Sequence, residues 1–297
     1  MTELQKQKLS SLAAVRFEEP MKEHISFRVG GPAEAYVEPT VEELRSLLAF
    51  AKEEGIKALI LGNGSNVLVK DEGIRGLVIA IGRPMAEIRI EGEEVVAQAG
   101  ALLSSVAKAA CDAGLSGLEF AGGIPGSVGG AVVMNAGAYG GEIADVLVAV
   151  KTIDADGQTI SYAVSQLDLS YRHSRFVDIT GETITEARFR LQKGDREAIR
   201  ERMQEFNRRR REKQPLEYPS AGSTFKRPTG YFAGKLIEEA GLSGFRVGGA
   251  MVSDKHCGFV INAGGATAAD ILAVIAHVKE EVERTSGVRL EEEVRIV

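Results

Sequence analysis

The segment from Glu119 to Gly141, EFAGGIPGSVGGAVVMNAGAYGG, carries eight glycines, a proline and an asparagine. A flexible linker would be Gly/Ser-rich and polar, whereas here Phe120, Ile124, Val128, Val132, Val133 and Met134 separate the glycines. Glycine lacks Cβ and reaches positive φ, so successive backbone N–H groups can turn toward one anion. The chemistry indicated is capture of a phosphate or pyrophosphate, most simply on a dinucleotide cofactor. A second loop, Gly62-Asn63-Gly64-Ser65-Asn66, follows an apolar run. No Gly-Lys-Ser/Thr follows it, which excludes a Walker loop, and no helix opens there, which excludes the GxGxxG fingerprint. Alone it reads as a surface turn; paired with the long tract it supports an anion site.

Three later segments place polar groups in unusual settings. Tyr171-Arg172-His173-Ser174-Arg175-Phe176 is dense in donors, Pro219 to Lys226 (PSAGSTFK) sets hydroxyls on a glycine turn, and Glu291-Glu292-Glu293-Val294-Arg295 is an acidic run near the C-terminus. Taken singly they read as a solvated loop, a Ser/Thr turn and a charged edge strand. Spacing along the chain does not bring them together.

The elements that must position these residues follow from periodicity and punctuation. A helix is expected from Val41 to Glu54, capped by Thr40 with Glu43 and buried through Leu44, Leu47, Leu48 and Ala51. Strands are expected at Lys57–Leu61, Val67–Val69, Leu77–Ile81, Ile88–Ile90 and Val95–Ala99. A helix over Leu102–Ala113 leads into the glycine tract. Val146–Asp154 and Gln158–Tyr162 should pair across Asp156-Gly157, and Glu182–Gln192 alternates as a strand. After Lys193-Gly194 the composition shifts. A long helix with Ile199, Met203 and Phe206 on one face ends in the basic run Arg208–Lys213 before Pro215. Beyond it come a helix at Phe232–Ala240, a strand at Gly258–Asn262, and an amphipathic helix at Ala268–Thr285 with Thr267 and Asp270 in capping positions. The irregular interleaving and tight turns predict an α+β fold with mixed sheets.

Bulk properties narrow the class. The 297 residues allow one large domain or two to three modest ones. A net charge of −6 argues against nucleic-acid binding. Two cysteines, Cys111 and Cys257, have neither disulfide-framework nor metal-ligand spacing, so no metal is expected and the cytoplasm is the simplest setting. No apolar run reaches the ~18 residues a membrane span needs. His256 and Cys257, beside an apolar strand, read as packing residues.

The whole chain resembles the UDP-N-acetylenolpyruvoylglucosamine reductase (UDP-N-acetylmuramate dehydrogenase) family. FRVGGPA (27–33), LGNGSNVLV (61–69), GLEFAGGIPGSVGGAVVMNAGAYGGE (117–142), YRHS (171–174), AGSTFKRP (221–228), GLSGFRVGGAMVSDKHCGFVINAGGAT (241–267) and LEEEVR (290–295) occur in family order. The resemblance implies a two-part FAD-binding domain of the vanillyl-alcohol-oxidase type over 1–192, with sub-domains about 1–82 and 83–192. A substrate domain over 193–297 would follow, its final strand returning toward the active site. It implies non-covalent FAD, with pyrophosphate lined by Arg28, Val29, Gly30, Asn63, Gly64, Ser65, Asn66, Gly122, Gly123, Ile124, Pro125, Gly126, Ser127, Gly129 and Gly130. Tyr171, Lys213 and Lys226 fall at substrate positions. The short link between the Tyr171-Arg172 segment and the strand at 182 is similar to the compact branch lacking a tyrosine loop. Lys226-Arg227-Pro228 stands where some members have Lys-Asn-Pro.

The family's catalytic trio falls on Arg172, Ser223 and Glu293. The reaction implied is reduction of UDP-N-acetylglucosamine enolpyruvate with NADPH as hydride donor, in bacterial peptidoglycan synthesis. Arg172 suits an enolate because its guanidinium stays charged and grips a carboxylate bidentately. Glu293 must be protonated or hydrogen-bonded to assist an anion, and Ser223 would deliver the final proton from close range. The expected partner is a UDP-sugar, with no nucleic acid, no membrane, and a monomer or weak oligomer. Two alternatives are another flavin dehydrogenase or oxidase on the same FAD domain, and a nucleotide-sugar binding protein without catalysis.

Overall fold

The computed structural model describes residues 1–177 and 181–297. The short link expected before the strand at 182 includes residues 178–180, which lie outside the described residues. The chain divides into two compact units, Met1–Phe17 with Glu34–Asn63 and Arg75–Arg209, and Glu18–Ala33 with Gly64–Ile74 and Arg210–Val297. The sequence placed a boundary after residue 192 and a sub-domain boundary near 82; this division falls after Arg209 and assigns two early segments to the second unit.

In the first unit, helix α1 (Glu3–Leu12) opens on a Thr2–Gln5 capping box, a helix that periodicity does not predict because Leu9 is its one buried residue. Helix α2 (Val41–Glu53) has the expected box, with the Thr40 amide donating to Glu43 Oε2 at 2.7 Å. Its buried stripe of Leu44, Leu47, Leu48, Phe50 and Ala51 faces the core. The strand Ala58–Leu61 runs parallel to Ile74–Ala80, in register from Ala58 opposite Leu77 to Leu61 opposite Ala80. They form one edge of a four-stranded sheet completed by Pro32–Val37 and Val15–Pro20. A five-stranded antiparallel sheet takes the order Thr159–Ala163, Leu147–Asp154, Glu182–Arg190, Glu94–Gln98, Ile88–Glu91. Helix α3 (Leu103–Asp112) buries Leu103, Val106, Ala107 and Ala110 in the same core as Leu47, Leu77, Ile79, Val95 and Phe189.

The glycine tract contains a short helix, α4 (Val128–Val133), where the sequence suggested only loop. Helix α5 (Arg196–Lys213) is the long basic helix expected after Lys193-Gly194, and its last residues, from Arg210, fall in the second unit.

The second unit holds helix α6 (Ala233–Glu239) and a three-stranded antiparallel sheet of Arg246–Val247, Ala250–Val252 and Val260–Asn262. Helix α7 (Ala268–Ser286) packs on this sheet through Ile271, Val274, Ile275, Val278 and Val282. Each such side chain contributes roughly 1.5–3 kcal/mol by leaving water. Thr267 and Asp270 form its capping box, and Gly287 ends it at φ +69°. Asp71 adds a second cap from far along the chain: its two carboxylate oxygens accept the Ala268 and Ala269 amides, each at 2.9 Å. The C-terminal strand Arg295–Ile296 lies parallel to Val67–Leu68.

Candidate functional site

In the first unit the glycine tract and one end of the Gly62 loop meet. Asn63 donates its side-chain amide to the Pro125 carbonyl at 2.5 Å. A Cβ placed on Gly62 would fall 2.6 Å from Ser127 Oγ. Ser127 is 2% exposed, and its hydroxyl has no hydrogen-bond partner among the described residues. The Gly126 and Ser127 amides donate no hydrogen bond among the described residues either, whereas the Val128 and Gly129 amides are spent on Ala101 and Ala99 carbonyls at 2.9 Å. A buried hydroxyl without a partner costs free energy. A hydroxyl and two backbone amides left over in one tight turn suit an anionic oxygen, so the residues present fit the pyrophosphate of FAD.

The glycines of the tract divide into two kinds. A side chain on Gly122 would strike Met203 at 2.9 Å, one on Gly129 would lie 3.1 Å from Ala99 Cβ, and one on Gly141 would strike Phe120 at 2.7 Å. These positions are small because the chain packs on itself there. A Cβ on Gly62 or Gly130 would instead approach the Ser127 hydroxyl, to 2.6 and 3.6 Å respectively.

Arg172 sits in a tight turn closed by reciprocal backbone bonds between Ser170 and His173, both 3.1 Å. Its φ of +56° lies in the left-handed region, which costs a non-glycine residue about 1–2 kcal/mol. Its guanidinium donates to the Gly137 carbonyl at 3.3 Å and lies 5.1 Å from the centre of the half-exposed Tyr171 ring. Two buried side chains tie this turn to the end of α4. Ser174 Oγ donates to the Val133 carbonyl at 2.8 Å, and Asn135 Nδ2 donates to the Ser170 carbonyl at 3.0 Å. The sequence reading quoted Asn135 and Ser174 within motifs but gave neither a role; the only available signal was an asparagine among glycines, a residue tolerant of positive φ.

In the second unit the structure brings Ser223 and Glu293 close through backbone pairing. Phe225 bridges antiparallel to Glu292, the Glu293 amide donates to the Thr224 carbonyl at 2.8 Å, and the Lys226 amide donates to the Glu291 carbonyl at 2.9 Å. Ser223 is exposed and follows Gly222, at φ +76°. Thr224, fully buried, pins the turn: its amide donates to Gly258 O at 2.9 Å and its hydroxyl accepts the Val260 amide at 3.0 Å. Two of the three glutamates form ion pairs with lysines of this unit. Lys226 takes Glu291 at 3.2 Å, and Lys279 of α7 takes Glu292 at 2.7 Å. Burial works to raise the Glu292 carboxyl, but the Lys279 ammonium and neighbouring donors hold it below the ordinary range.

The remaining predicted cofactor residues of this unit lie in the loops before Pro32–Val37 and Val67–Leu68. Asn66 donates its amide to the Glu293 carbonyl at 3.0 Å and accepts the Arg295 amide at 3.0 Å. A Cβ on Gly64 would fall 2.1 Å from the His24 carbonyl, with φ at +61°. Ser65, between them, is half-buried. Arg28 adopts φ +55° and Gly30 φ +102°, where a Cβ would fall 2.7 Å from Val69, and Val29 between them is buried. The loop just ahead of Arg28 is held by Asn262, whose Nδ2 donates to the Phe27 carbonyl at 3.1 Å. Lys213 is exposed. His256 Nδ1 accepts the Gly258 amide at 3.1 Å, and burial, with the Lys213 charge as a lesser cause, pushes this imidazole below its usual range.

Comparison with known proteins gives a consistent picture. Residues 214–297 match the family described as "UDP-N-acetylenolpyruvoylglucosamine reductase, C-terminal domain", and residues 33–162 match "FAD binding domain". A UDP-N-acetylenolpyruvoylglucosamine reductase of Agathobacter rectalis is 54% identical, covering 94% of this chain and 93% of its own. The crystal structure of the corresponding reductase of Thermus caldophilus superposes with a TM-score of 0.82 at 39% identity, over 95% of this chain and 99% of the other. A 4-ethylphenol oxidase of Gulosibacter chungangensis shares the fold alone, at 16% identity and a TM-score of 0.51, over 65% of this chain and 44% of its own. The fold is therefore the α+β arrangement expected, an FAD-binding domain with the reductase family's C-terminal domain.

Proposed function

The chain belongs to the UDP-N-acetylenolpyruvoylglucosamine reductase family, and from that premise we propose how its own residues carry the family's reaction. That reaction is the FAD-dependent reduction of UDP-N-acetylglucosamine enolpyruvate to UDP-N-acetylmuramate, a step of peptidoglycan synthesis. The near-full-length identity to a curated relative carries this reading. FAD, when bound, supplies to the terminal vinyl carbon a hydride taken up beforehand from NADPH.

The Ser127 hydroxyl, with the Gly126 and Ser127 amides, would hold the pyrophosphate. By the family resemblance, Arg28 to Gly30, Asn63 to Asn66 and Gly122 to Gly130 would also contact the cofactor. Arg172 stabilises the negative charge that gathers on the substrate's inner carbon and carboxylate, using two N–H groups of one planar fork. Ser223 gives its hydroxyl proton to that carbon, so one hydride and one proton together saturate the double bond. The exposure of Ser223 lets solvent return the proton. Glu293 braces the same anion by hydrogen bonding. Tyr171, Lys213 and Lys226 contact the UDP-sugar. No helix among the described residues is long and apolar enough to cross a membrane. By the family's place in peptidoglycan synthesis, the protein would work in the cytoplasm, as a monomer or weak oligomer.

The deciding experiment is anaerobic. The FAD-loaded protein is reduced with NADPH, freed of excess NADPH, and mixed with the UDP-enolpyruvyl sugar. Rapid return of the oxidised flavin spectrum with formation of UDP-N-acetylmuramate is expected. A flavin that stays reduced until oxygen is admitted would refute the assignment.

A further inference from the structure

Asn135 has the marks of a residue held in place for a purpose outside itself. It is fully buried, and its backbone takes φ +39°, in the left-handed region. Both ends of its side-chain amide are used. Nδ2 donates to the Ser170 carbonyl at 3.0 Å, and Oδ1 accepts the Ala144 amide at 2.9 Å. Its backbone amide closes the end of α4 by donating to the Val132 carbonyl at 3.1 Å. One residue thus joins three segments: the end of the glycine-tract helix, the one-turn helix Ile143–Asp145 ahead of the strand Leu147–Asp154, and the turn that carries Arg172.

Other contacts frame the turn as well: His173 Nε2 lies 3.5 Å from Asp168 Oδ2, and the Arg175 amide donates to the Leu167 carbonyl at 2.8 Å. Ser170 and His173 bond each other at 3.1 Å, and Arg172 is strained at φ +56°. Ser174 Oγ gives a second tie, to the Val133 carbonyl at 2.8 Å. The Arg172 guanidinium reaches the Gly137 carbonyl, two residues beyond Asn135, at 3.3 Å. Ser127, at the head of α4, and the Arg172 turn, at its tail, are therefore fixed to the ends of one helix of six residues, about 9 Å long at 1.5 Å per residue. A fork that must meet a carboxylate bidentately tolerates little angular error, so the turn's anchor sets how well Arg172 works.

We propose that Asn135 is a positioning residue for Arg172. Its side-chain amide fixes the Ser170–His173 turn to α4, and so sets the guanidinium in register with the cofactor turn at Ser127. The inference rests on the role given to Arg172 above. Asn135 does not itself touch the reacting atoms.

The variant Asn135→Gly tests this, because glycine accepts φ +39° without strain and only the amide is lost. The FAD content, the rate of flavin reduction by NADPH, and the rate of reoxidation by the UDP-enolpyruvyl sugar are measured separately. The expected result is normal FAD content, reduction within about twofold of the parent, and reoxidation slowed at least tenfold. The same change placed on Arg172→Ala should slow reoxidation by less than about twofold further, since the residue it positions is already gone. A purely structural role would slow both half-reactions, or act equally in both backgrounds, and either result overturns the proposal. Unaltered reoxidation in Asn135→Gly also overturns it. If Asn135→Gly fails to hold FAD, Asn135→Asp is measured by the same criteria, since it keeps the acceptor for the Ala144 amide and removes the donor to Ser170. Arg172→Ala alone separates the two readings: if it reoxidises normally, the role of Arg172 fails first. If it is slow while Asn135→Gly is normal, only the positioning role fails.

Discussion

Replacing Ser127 with alanine should move two measurements in opposite directions. The Ser127 hydroxyl is buried, lacks a hydrogen-bond partner among the described residues, and borders Gly62 and Gly130. A hydrogen bond to a charged group is worth about 1.5–3 kcal/mol. At about 1.4 kcal/mol per tenfold, removing the donor weakens FAD binding roughly 10- to 150-fold. In the cofactor-free protein the same hydroxyl is a desolvated group without compensation, a cost of about 1–3 kcal/mol. Alanine removes that cost and leaves a void of one oxygen atom, so the cofactor-free variant should match or exceed the parent in stability. FAD titration followed by quenching of flavin fluorescence gives the first quantity, and thermal unfolding of the cofactor-free protein gives the second. An FAD affinity within twofold of the parent would show that Ser127 does not meet the phosphate. A cofactor-free variant melting several degrees lower would show that the hydroxyl is already satisfied within the fold.

Gly62→Ala places a methyl 2.6 Å from the same hydroxyl; overpacking of about 1–3 kcal/mol follows, and adding Ser127→Ala should recover part of the lost melting temperature if the clash is the cause. Ser223→Ala should keep its bound FAD and its reduction by NADPH, and slow reoxidation by the UDP-enolpyruvyl sugar about 100-fold or more, the scale of a lost proton donor; near-parental reoxidation would remove Ser223 from the mechanism. Asp71→Asn removes the charge and one of two acceptors at the start of α7, so it should cost about 0.5–2 kcal/mol, read as a drop of a few degrees in melting temperature, with no loss meaning that Thr267 caps the helix alone. His256 is held below the usual imidazole range by burial, so above about pH 6.5 it is neutral in both folded and unfolded chains and contributes no pH dependence. As pH falls below that value the unfolded chain takes the proton first, and folded stability declines until the folded pKa is passed. His256→Asn, which retains an acceptor for the Gly258 amide, should flatten this acid-side decline in melting temperature, and parallel profiles would assign the decline to other groups.

Elements with a local signature were legible in the sequence. α2 and α7 each join a capping box to an apolar stripe, and both appear with the expected caps. α1 has a Thr2–Gln5 capping box but no apolar stripe to go with it, and the rest of its support is remote. Lys8 pairs with Glu54 at 2.5 Å, and Gln5 donates to the same carboxylate at 3.2 Å. α4 was hidden by Gly129-Gly130, since glycine inside a helix costs about 1 kcal/mol. Tertiary packing overrides that penalty here: the Gly129 amide bonds Ala99, whose Cβ stands 3.1 Å from where a side chain would begin. The same limit governs the site. The residue types at Arg172, Ser223 and Glu293 were readable from motifs, but the closeness of Ser223 to Glu293 is a product of Phe225 pairing with Glu292, and no local pattern encodes a long-range register.

The backbone shows where such non-local information is stored. Among the described residues, six non-glycine positions have positive φ, and four of them, Arg28, Asn135, Tyr139 and Arg172, fall in the segments the sequence singled out. Strain of about 1–3 kcal/mol persists only where surrounding contacts over-determine it. In each unit a buried asparagine supplies such contacts beside a strained arginine. Asn135 holds the Arg172 turn in the first, through Ser170 O and the Ala144 amide. Asn262, in the second, donates to Phe27 O beside Arg28 and accepts the Gly264 and Ala266 amides at 3.0 and 3.2 Å. An asparagine amide can satisfy a carbonyl and an amide at once, and neither aspartate nor leucine of similar size can. Substitutions at these two buried asparagines should therefore disturb the arginines' placement out of proportion to the volume they remove.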